Sequence, residues 1–360
     1  MLLVAALAAL AAGGCAKDSE KNAAAAATIT DLAGRSVQVA APAEKVCAIG
    51  PGALRLVCYV NGAARVVGIE NMEKQWSGGR PYIQAFPKLL DLPVIGQGGP
   101  DSAPDPEALL SVKPDVVFAA SLLDASRADE LQEKTGIPVV VLSYGRLGTF
   151  DRELLDSIAL VGRITGNEAR ASAVVTFIRQ CRDDLGKRTA GIPPERRPTV
   201  YVGGVGMKGT HGIESTQAGF PPFAAINARN VVDETGQRGS VMIDKEQLLQ
   251  WDPQFIFVDE SGWSMVRKDY DANPGLYRSL RAVKGGRLYG YLPYNYYATN
   301  VDTAIADAYF MGIVVYPDAF QDVDPVAKAG EIYRFLLGED AYGAMARDFG
   351  GFAKLSLAGS

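Results

Sequence analysis

The chain has 360 residues, enough for two domains with cores of their own. Hydrophobic residues make up 48% and charged residues 21%, the balance of a globular protein. A net charge of −5 with no basic stripe argues against nucleic acid as a partner, and a single histidine, His211, excludes any site that needs two histidine ligands.

Residues 1–12 are almost wholly Leu, Val and Ala, a run too short to span a bilayer but suited to the apolar region of a secretory signal. It ends Ala12-Gly13-Gly14-Cys15, which resembles the lipobox of bacterial lipoproteins, where cleavage leaves the cysteine first and its sulfur carries diacylglycerol. Residues 1–15 are therefore expected to be a signal peptide with lipobox, with Cys15 lipidated. Residues 16–27, polar and then alanine-rich, read as a tether. The expected product is exported, periplasmic or cell-surface, and anchored to the membrane surface by lipid.

A first lobe is expected over 28–150. Residues 28–31 and 36–39 flank Ala33-Gly34 as a β-hairpin. Residues 45–49 form a short apolar strand, Gly50-Pro51-Gly52 opens a helix to about Tyr59, and 65–69 form the next strand. Polar loops follow at 70–82, with Trp76, Arg80 and Tyr82, and at 96–105. Then comes Glu107-Ala-Leu-Leu-Ser-Val-Lys-Pro114-Asp-Val-Val-Phe118, a short helix, a Pro turn and a buried strand. A helix at 124–134 and a strand at 137–142 follow, the latter leading to Tyr144. Strands alternating with helices imply a parallel sheet covered on both faces. Cys47 on a strand and Cys58 on the next helix allow a disulfide, but two buried thiols is the plainer reading; Cys181 falls in a helical stripe and reads as core.

Two helices without an intervening strand occupy 151–190. The first stops at Gly166; Asn167 can cap the second, whose stripe is Ala171, Val174, Ile178, Cys181 and Leu185. At about 1.5 Å per residue such a helix crosses a whole lobe and acts as a strut. A second lobe is expected over 197–360. It contains Glu246-Gln-Leu-Leu-Gln-Trp-Asp-Pro253-Gln-Phe-Ile-Phe257, matching the first copy in Glu, Leu-Leu, Pro and Phe. Two large related units imply a cleft between them. Helices are expected from about Val301 to the end.

Gly204-Val-Gly206-Met-Lys-Gly209 follows a strand and matches a dinucleotide fingerprint, but the glycine- and proline-rich residues after it cannot open the required helix. It reads as a cleft-facing loop containing Lys208 and His211. No nucleophile elbow or phosphate-binding loop motif occurs. Tyr289, Tyr291, Tyr294, Tyr296 and Tyr297 crowd into nine residues; the last three lie where a strand should end at the cleft. Tyrosine offers a rigid apolar face with a polar tip. Tyr294, Tyr296 and Tyr297 together with Gly52, Arg55, Arg80, Tyr82, Tyr144, Lys208, His211, Trp76 and Trp263 form the expected ligand-binding set, suited to an aromatic-compatible, partly anionic ligand. Backbone donors at 50–53 favour an anion. Loop packing for the tyrosines and solvated surface positions for the basic residues are the plainer alternatives.

The hairpin TITDLAGRSVQV, the strand KVCAIG, the two Glu repeats and the helix after ITGNEAR resemble, in order and spacing, the substrate-binding lipoproteins of ABC importers for iron-siderophores, haem and vitamin B12. The resemblance covers about residues 28–340. It implies an α/β fold of two Rossmann-like lobes with parallel sheets joined by a single long α-helix, the class III periplasmic binding protein. It also implies that Glu107 and Glu246 dock to arginines of the permease dimer. GPGALRL, SGGRPY and YNYYATN look closest to members for iron complexes. The expected function is non-enzymatic capture of a metal chelate, a ferric siderophore foremost, by a monomer without cofactor. Corrinoid or haem is the alternative ligand, direct metal coordination by His211 or Tyr294 a lesser one, and a periplasmic chelatase-like enzyme the alternative of another class.

Overall fold

The computed structural model describes residues 25–75, 77–99, 102, 104–120, 125–146, 148–206 and 209–357. The expected signal, Cys15, most of the tether, Trp76 and Lys208 lie outside the described residues.

The expected hairpin forms from antiparallel strands Ala25–Thr30 and Ser36–Ala41, and Gly34 supplies the positive φ of its turn. The first strand begins inside the stretch read as tether: alanines 25–27 pair with 39–41, since an alanine run offers extended backbone to a neighbouring strand as readily as it forms a linker. In the N-terminal lobe, Val66–Gly68, Val46–Ile49, Val116–Ala120 and Val139–Leu142 form a parallel sheet in that spatial order. The alternation of strand residues divides its core. Val46, Ala48, Val116, Phe118 and Val140 face one apolar cluster; Cys47, Ile49, Val117, Ala119 and Val139 face another. Cys47 and Cys58 thus belong to clusters on opposite faces of the sheet, and both are buried free thiols.

The C-terminal lobe repeats the order. Leu288–Tyr291, Phe255–Asp259, Thr199–Gly203 and Arg229–Asn230 are parallel, and Ala353–Lys354 closes one edge antiparallel. That terminal strand lies beyond the helices expected to finish the chain. A second departure is the two-stranded antiparallel sheet of Ser215–Ala218 and Gly239–Met242. The glycine-rich segment from Gly204 leads into the first of these strands rather than into a helix, as its composition required.

The repeat is structural as well as sequential. Helices Pro106–Val112 and Lys245–Trp251 both end in a left-handed non-glycine residue, Lys113 and Asp252. Leu109, Leu248, Phe118 and Phe257 are all fully buried. Asp115 and Gln254, which differ between the copies, do the same work. The Asp115 carboxylate accepts from the Lys45 amide at 2.8 Å, and the Gln254 side-chain carbonyl accepts from the Thr199 amide at 2.9 Å, each tying the repeat to the entry of the neighbouring strand.

Helix Arg152–Thr165 stops at Gly166 in the left-handed conformation. The linking helix Glu168–Thr189 has 22 residues, about 33 Å of rise, and buries Ala171, Val174, Ile178, Cys181 and Leu185 as its stripe requires. Asn167 stands at its N-cap without capping it: the side-chain amide instead donates to Val60 and Asn61, at the end of helix Ala53–Asn61. The two helices cross closely because position 162 is glycine; a Cβ there would lie 2.3 Å from Ala171. One apolar cluster continues from the N-terminal sheet through the linking helix to Phe257 and the C-terminal helices Val301–Val315 and Pro325–Leu337. Among the described residues no helix is long and apolar enough to cross a membrane.

Candidate functional site

Ligands of parallel sheets gather beyond the carboxyl ends of the strands. In both lobes those ends converge on the segment 294–300, which leaves strand Leu288–Tyr291, reaches the N-terminal lobe and returns into helix Val301–Val315. Tyr297 and Ala298 adopt positive φ, 54° and 66°, and turn the segment back on itself. This fold of the backbone presents carbonyl oxygens to Arg55.

Arg55, 0% exposed, donates to the carbonyls of Tyr296 at 2.8 Å and Thr299 at 2.9 Å, and to the Tyr144 hydroxyl at 3.1 Å. Tyr144 in turn donates to the Gly52 carbonyl at 3.0 Å, and its ring covers the start of helix Ala53–Asn61. Arg80 pairs with Glu73 at 2.6 Å and lies over the Tyr297 ring at 4.6 Å; Tyr82 donates to the same Glu73 oxygen at 2.7 Å. The Tyr297 hydroxyl donates to Glu70 and accepts from the Gly99 amide, each at 2.8 Å. Asn300 donates to the Gly79 carbonyl at 2.7 Å. Burial raises the Glu70 carboxyl to about 7, against the opposing bonds from Gly50 and Tyr297.

Gly52, Arg55, Arg80, Tyr82, Tyr144, Tyr296 and Tyr297 therefore meet in one place, as the sequence suggested, but the terminal guanidinium nitrogens of Arg55, Nη1 of Arg80 and the hydroxyls of Tyr82, Tyr144 and Tyr297 are bonded to protein groups. The donors expected at 50–53 are covered too: the Gly50 amide donates to Glu70 and the Tyr144 ring caps Gly52. Tyr294 is buried in the C-terminal lobe against Phe220, with its hydroxyl 3.4 Å from Gln217. His211 is half-buried in the loop before strand Ser215–Ala218, and Trp263 is half-buried against the outer core of its lobe at the start of helix Trp263–Ala272.

Sequence reasoning missed Glu70 and Glu73, polar residues just after a strand end, and Asn300, directly after the tyrosines. It also missed an open cavity of ≈310 Å³ between the lobes, lined by Arg146 and Asp151 from one and Gly219 and Arg238 from the other. A neighbouring cavity of ≈210 Å³ shares Asp151 and Gly219 and reaches Arg182 on the linking helix. A larger cavity, ≈580 Å³, lies at the opposite end of the C-terminal lobe, around Lys284, Leu288 and Lys354, away from the strand ends that form the cleft.

Glu107 and Glu246 are exposed and occupy equivalent second positions of the two repeat helices. Each helix runs back along the strand that follows it, so both carboxylates lie on the cleft side, favoured by the helix dipoles.

A family model described as periplasmic binding protein matches residues 48–294. The chain belongs to that family. Solved structures agree in fold. A periplasmic solute binding protein from Veillonella parvula superposes with a TM-score of 0.71 at 18% identity, over 90% of this chain and 97% of its own. Haemophilus influenzae MolA, bound to molybdate, gives 0.68 at 20% identity over 87% and 98%. Helicobacter pylori CeuE with Ni(II) bound gives 0.64 at 17% over 90% and 99%. No curated protein matches the chain. This periplasmic binding protein is thus a substrate-binding component of an ABC importer, in a family of solute binders of the class III architecture.

Proposed function

We propose that this periplasmic binding protein captures an anionic metal complex, a ferric siderophore foremost, and delivers it to its permease by docking through Glu107 and Glu246, with Cys15 as its lipid anchor. The observation that carries the ligand class is the pair Arg146 and Arg238, contributed by opposite lobes to one interlobe cavity. Two exposed arginines that line one cavity from opposite lobes can hold an anion between them, and they favour the closed arrangement with the anion in place. The two glutamates support docking to a two-fold partner because the repeat places them equivalently and leaves both exposed.

The cavity size favours a second reading. At ≈310 Å³ it lies near the lower limit of ligand pockets and suits a compact oxyanion, such as the molybdate bound by the H. influenzae relative, without further opening. Haem and corrinoids gain less: half-buried His211 is not among the cavity's lining residues.

Isothermal titration of the chain from residue 16 onward tests the reading, using a ferric tris-catecholate, a ferric trihydroxamate, molybdate, haem and cobalamin. Saturable one-to-one binding of an iron chelate, weakened by Arg146→Ala and Arg238→Ala, supports it. Binding of molybdate alone selects the compact oxyanion; binding of haem or cobalamin alone refutes both.

A further inference from the structure

Arg55 has unusual surroundings. Its guanidinium is fully buried, yet its acceptors are all neutral, the Tyr144 hydroxyl and the carbonyls of Tyr296, Tyr297 and Thr299. No carboxylate among the described residues lies within ion-pair distance of it, whereas neighbouring Arg80 holds Glu73 at 2.6 Å. Buried charges are ordinarily paired with opposite ones. The Nε atoms of both arginines and Oδ1 of Asn300 are buried without a partner among the described residues. The segment on which Arg55 closes is held by polar bonds to loops of the other lobe: Tyr297 to Glu70 and Gly99, Asn300 to Gly79. Bonds of this kind exchange readily with water or with ligand oxygens.

We infer that segment 294–300 is a lid latched by Arg55, and that an anionic oxygen of the ligand displaces its carbonyls from that guanidinium. Arg55 is then a ligand-binding residue covered by its own protein. A guanidinium paired with an anionic oxygen adds charge–charge attraction, in bidentate geometry where the ligand allows it, to bonds that with carbonyls are only charge–dipole, so the exchange favours the anion. Displacement rests on the anionic ligand proposed above; the latch does not.

Hydrogen-exchange mass spectrometry on the chain from residue 16 onward tests both parts. Arg55→Lys cannot span three carbonyls, and Tyr297→Phe removes the hydroxyl shared by Glu70 and Gly99 while leaving the core intact. Each is expected to speed exchange within 294–300 about tenfold, with strand Val116–Ala120 unchanged. Tyr297→Phe carries the test if Arg55→Lys does not fold. Unchanged exchange in 294–300 in a folded variant overturns the latch, whatever the ligand. In the second arm, saturating molybdate or ferric tris-catecholate alters exchange of 294–300 in the parent chain and not in Arg55→Lys. Binding of either anion without that change overturns displacement. If calorimetry shows that neither binds, the anionic ligand and the displacement fail together, and the latch is judged on the variants alone.

Discussion

Gly52→Ala should destabilise the protein by far more than a loss of backbone freedom explains, and the structure supplies its own control. Gly34 and Gly52 both sit at positive φ, 78° and 87°. A Cβ on Gly34 meets nothing within 4 Å, whereas a Cβ on Gly52 would lie 2.5 Å from Cε2 and 2.6 Å from the hydroxyl of Tyr144. Gly34→Ala then costs about 1–2 kcal/mol, that of a left-handed L-residue. Gly52→Ala bears the same cost and must also move a buried ring bonded to Arg55 and to the Gly52 carbonyl. Overpacking and the disturbed bonds add about 2–3 kcal/mol. Urea unfolding of both variants measures the difference, and Gly52→Ala combined with Tyr144→Ala should recover most of the excess as a coupling term. Equal midpoint shifts for Gly34→Ala and Gly52→Ala would refute the reasoning, because the ring would then not be held where its bonds place it.

Glu107→Arg combined with Glu246→Arg should abolish uptake in cells while leaving calorimetric ligand affinity within about twofold, since both residues are exposed and neither lines the interlobe cavity; retained uptake excludes the docking role. Stability should fall from mildly acidic to mildly alkaline pH. Burial raises Glu70 to about 7, Asp259 to about 6 and Glu260 to about 8, so folding favours their protonated forms. Their contribution is complete below the unfolded values near pH 4 and is lost as pH rises through the folded values. Melting temperatures across that range test this, and Glu70→Gln should flatten the profile; a steady rise with pH contradicts it. Burial pushes the Cys47 and Cys181 thiols up to about 12 and the Cys58 thiol higher still, so none should react with a disulfide-exchange dye until the chain is unfolded. Rapid labelling of the folded chain would contradict their burial.

The doubled architecture was legible because local chemistry repeats: a dipole-favoured glutamate, two leucines, a proline and a phenylalanine recur at equal offsets, and both lobes fold them alike. The linking helix was legible for the same reason, since its stripe depends only on period. That several of the expected ligand residues would lie together was legible, and their arrangement was not. Arg55, Arg80, Tyr82 and Tyr297 were singled out because each follows a strand end. Nothing local indicates that Arg55 would close on carbonyls some 240 residues away in sequence, because that contact depends on two tyrosine-loop residues adopting positive φ. Arg146 and Arg238 escaped notice because neither is near a distinctive motif, and only the relation between lobes brings them together. The capping role read for Asn167 failed to a tertiary competitor, the end of helix Ala53–Asn61.

The interface between the lobes has two parts of different physical character, and this decides which of them moves. Around the linking helix it is apolar and interlocked. Phe177 stacks on Phe335 at 4.0 Å, Tyr59 bonds Asp302 across the lobes at 3.0 Å, and Arg170 joins the Tyr59 carbonyl to the last turn of helix Pro325–Leu337. Swinging the lobes apart there would expose part of a continuous core; about 400 Å² of apolar surface would cost roughly 10 kcal/mol, more than a typical ligand returns in differential affinity. At the strand ends the contact is a short polar segment held by hydrogen bonds worth about 1–3 kcal/mol each, the larger values for those of the Arg55 guanidinium, and water or a ligand can replace them. Access is therefore cheapest through the segment. Relocating the lobes as rigid bodies is the costly alternative, and its signature is distinct: exchange rising together in 294–300 and in the linking helix, instead of in 294–300 alone.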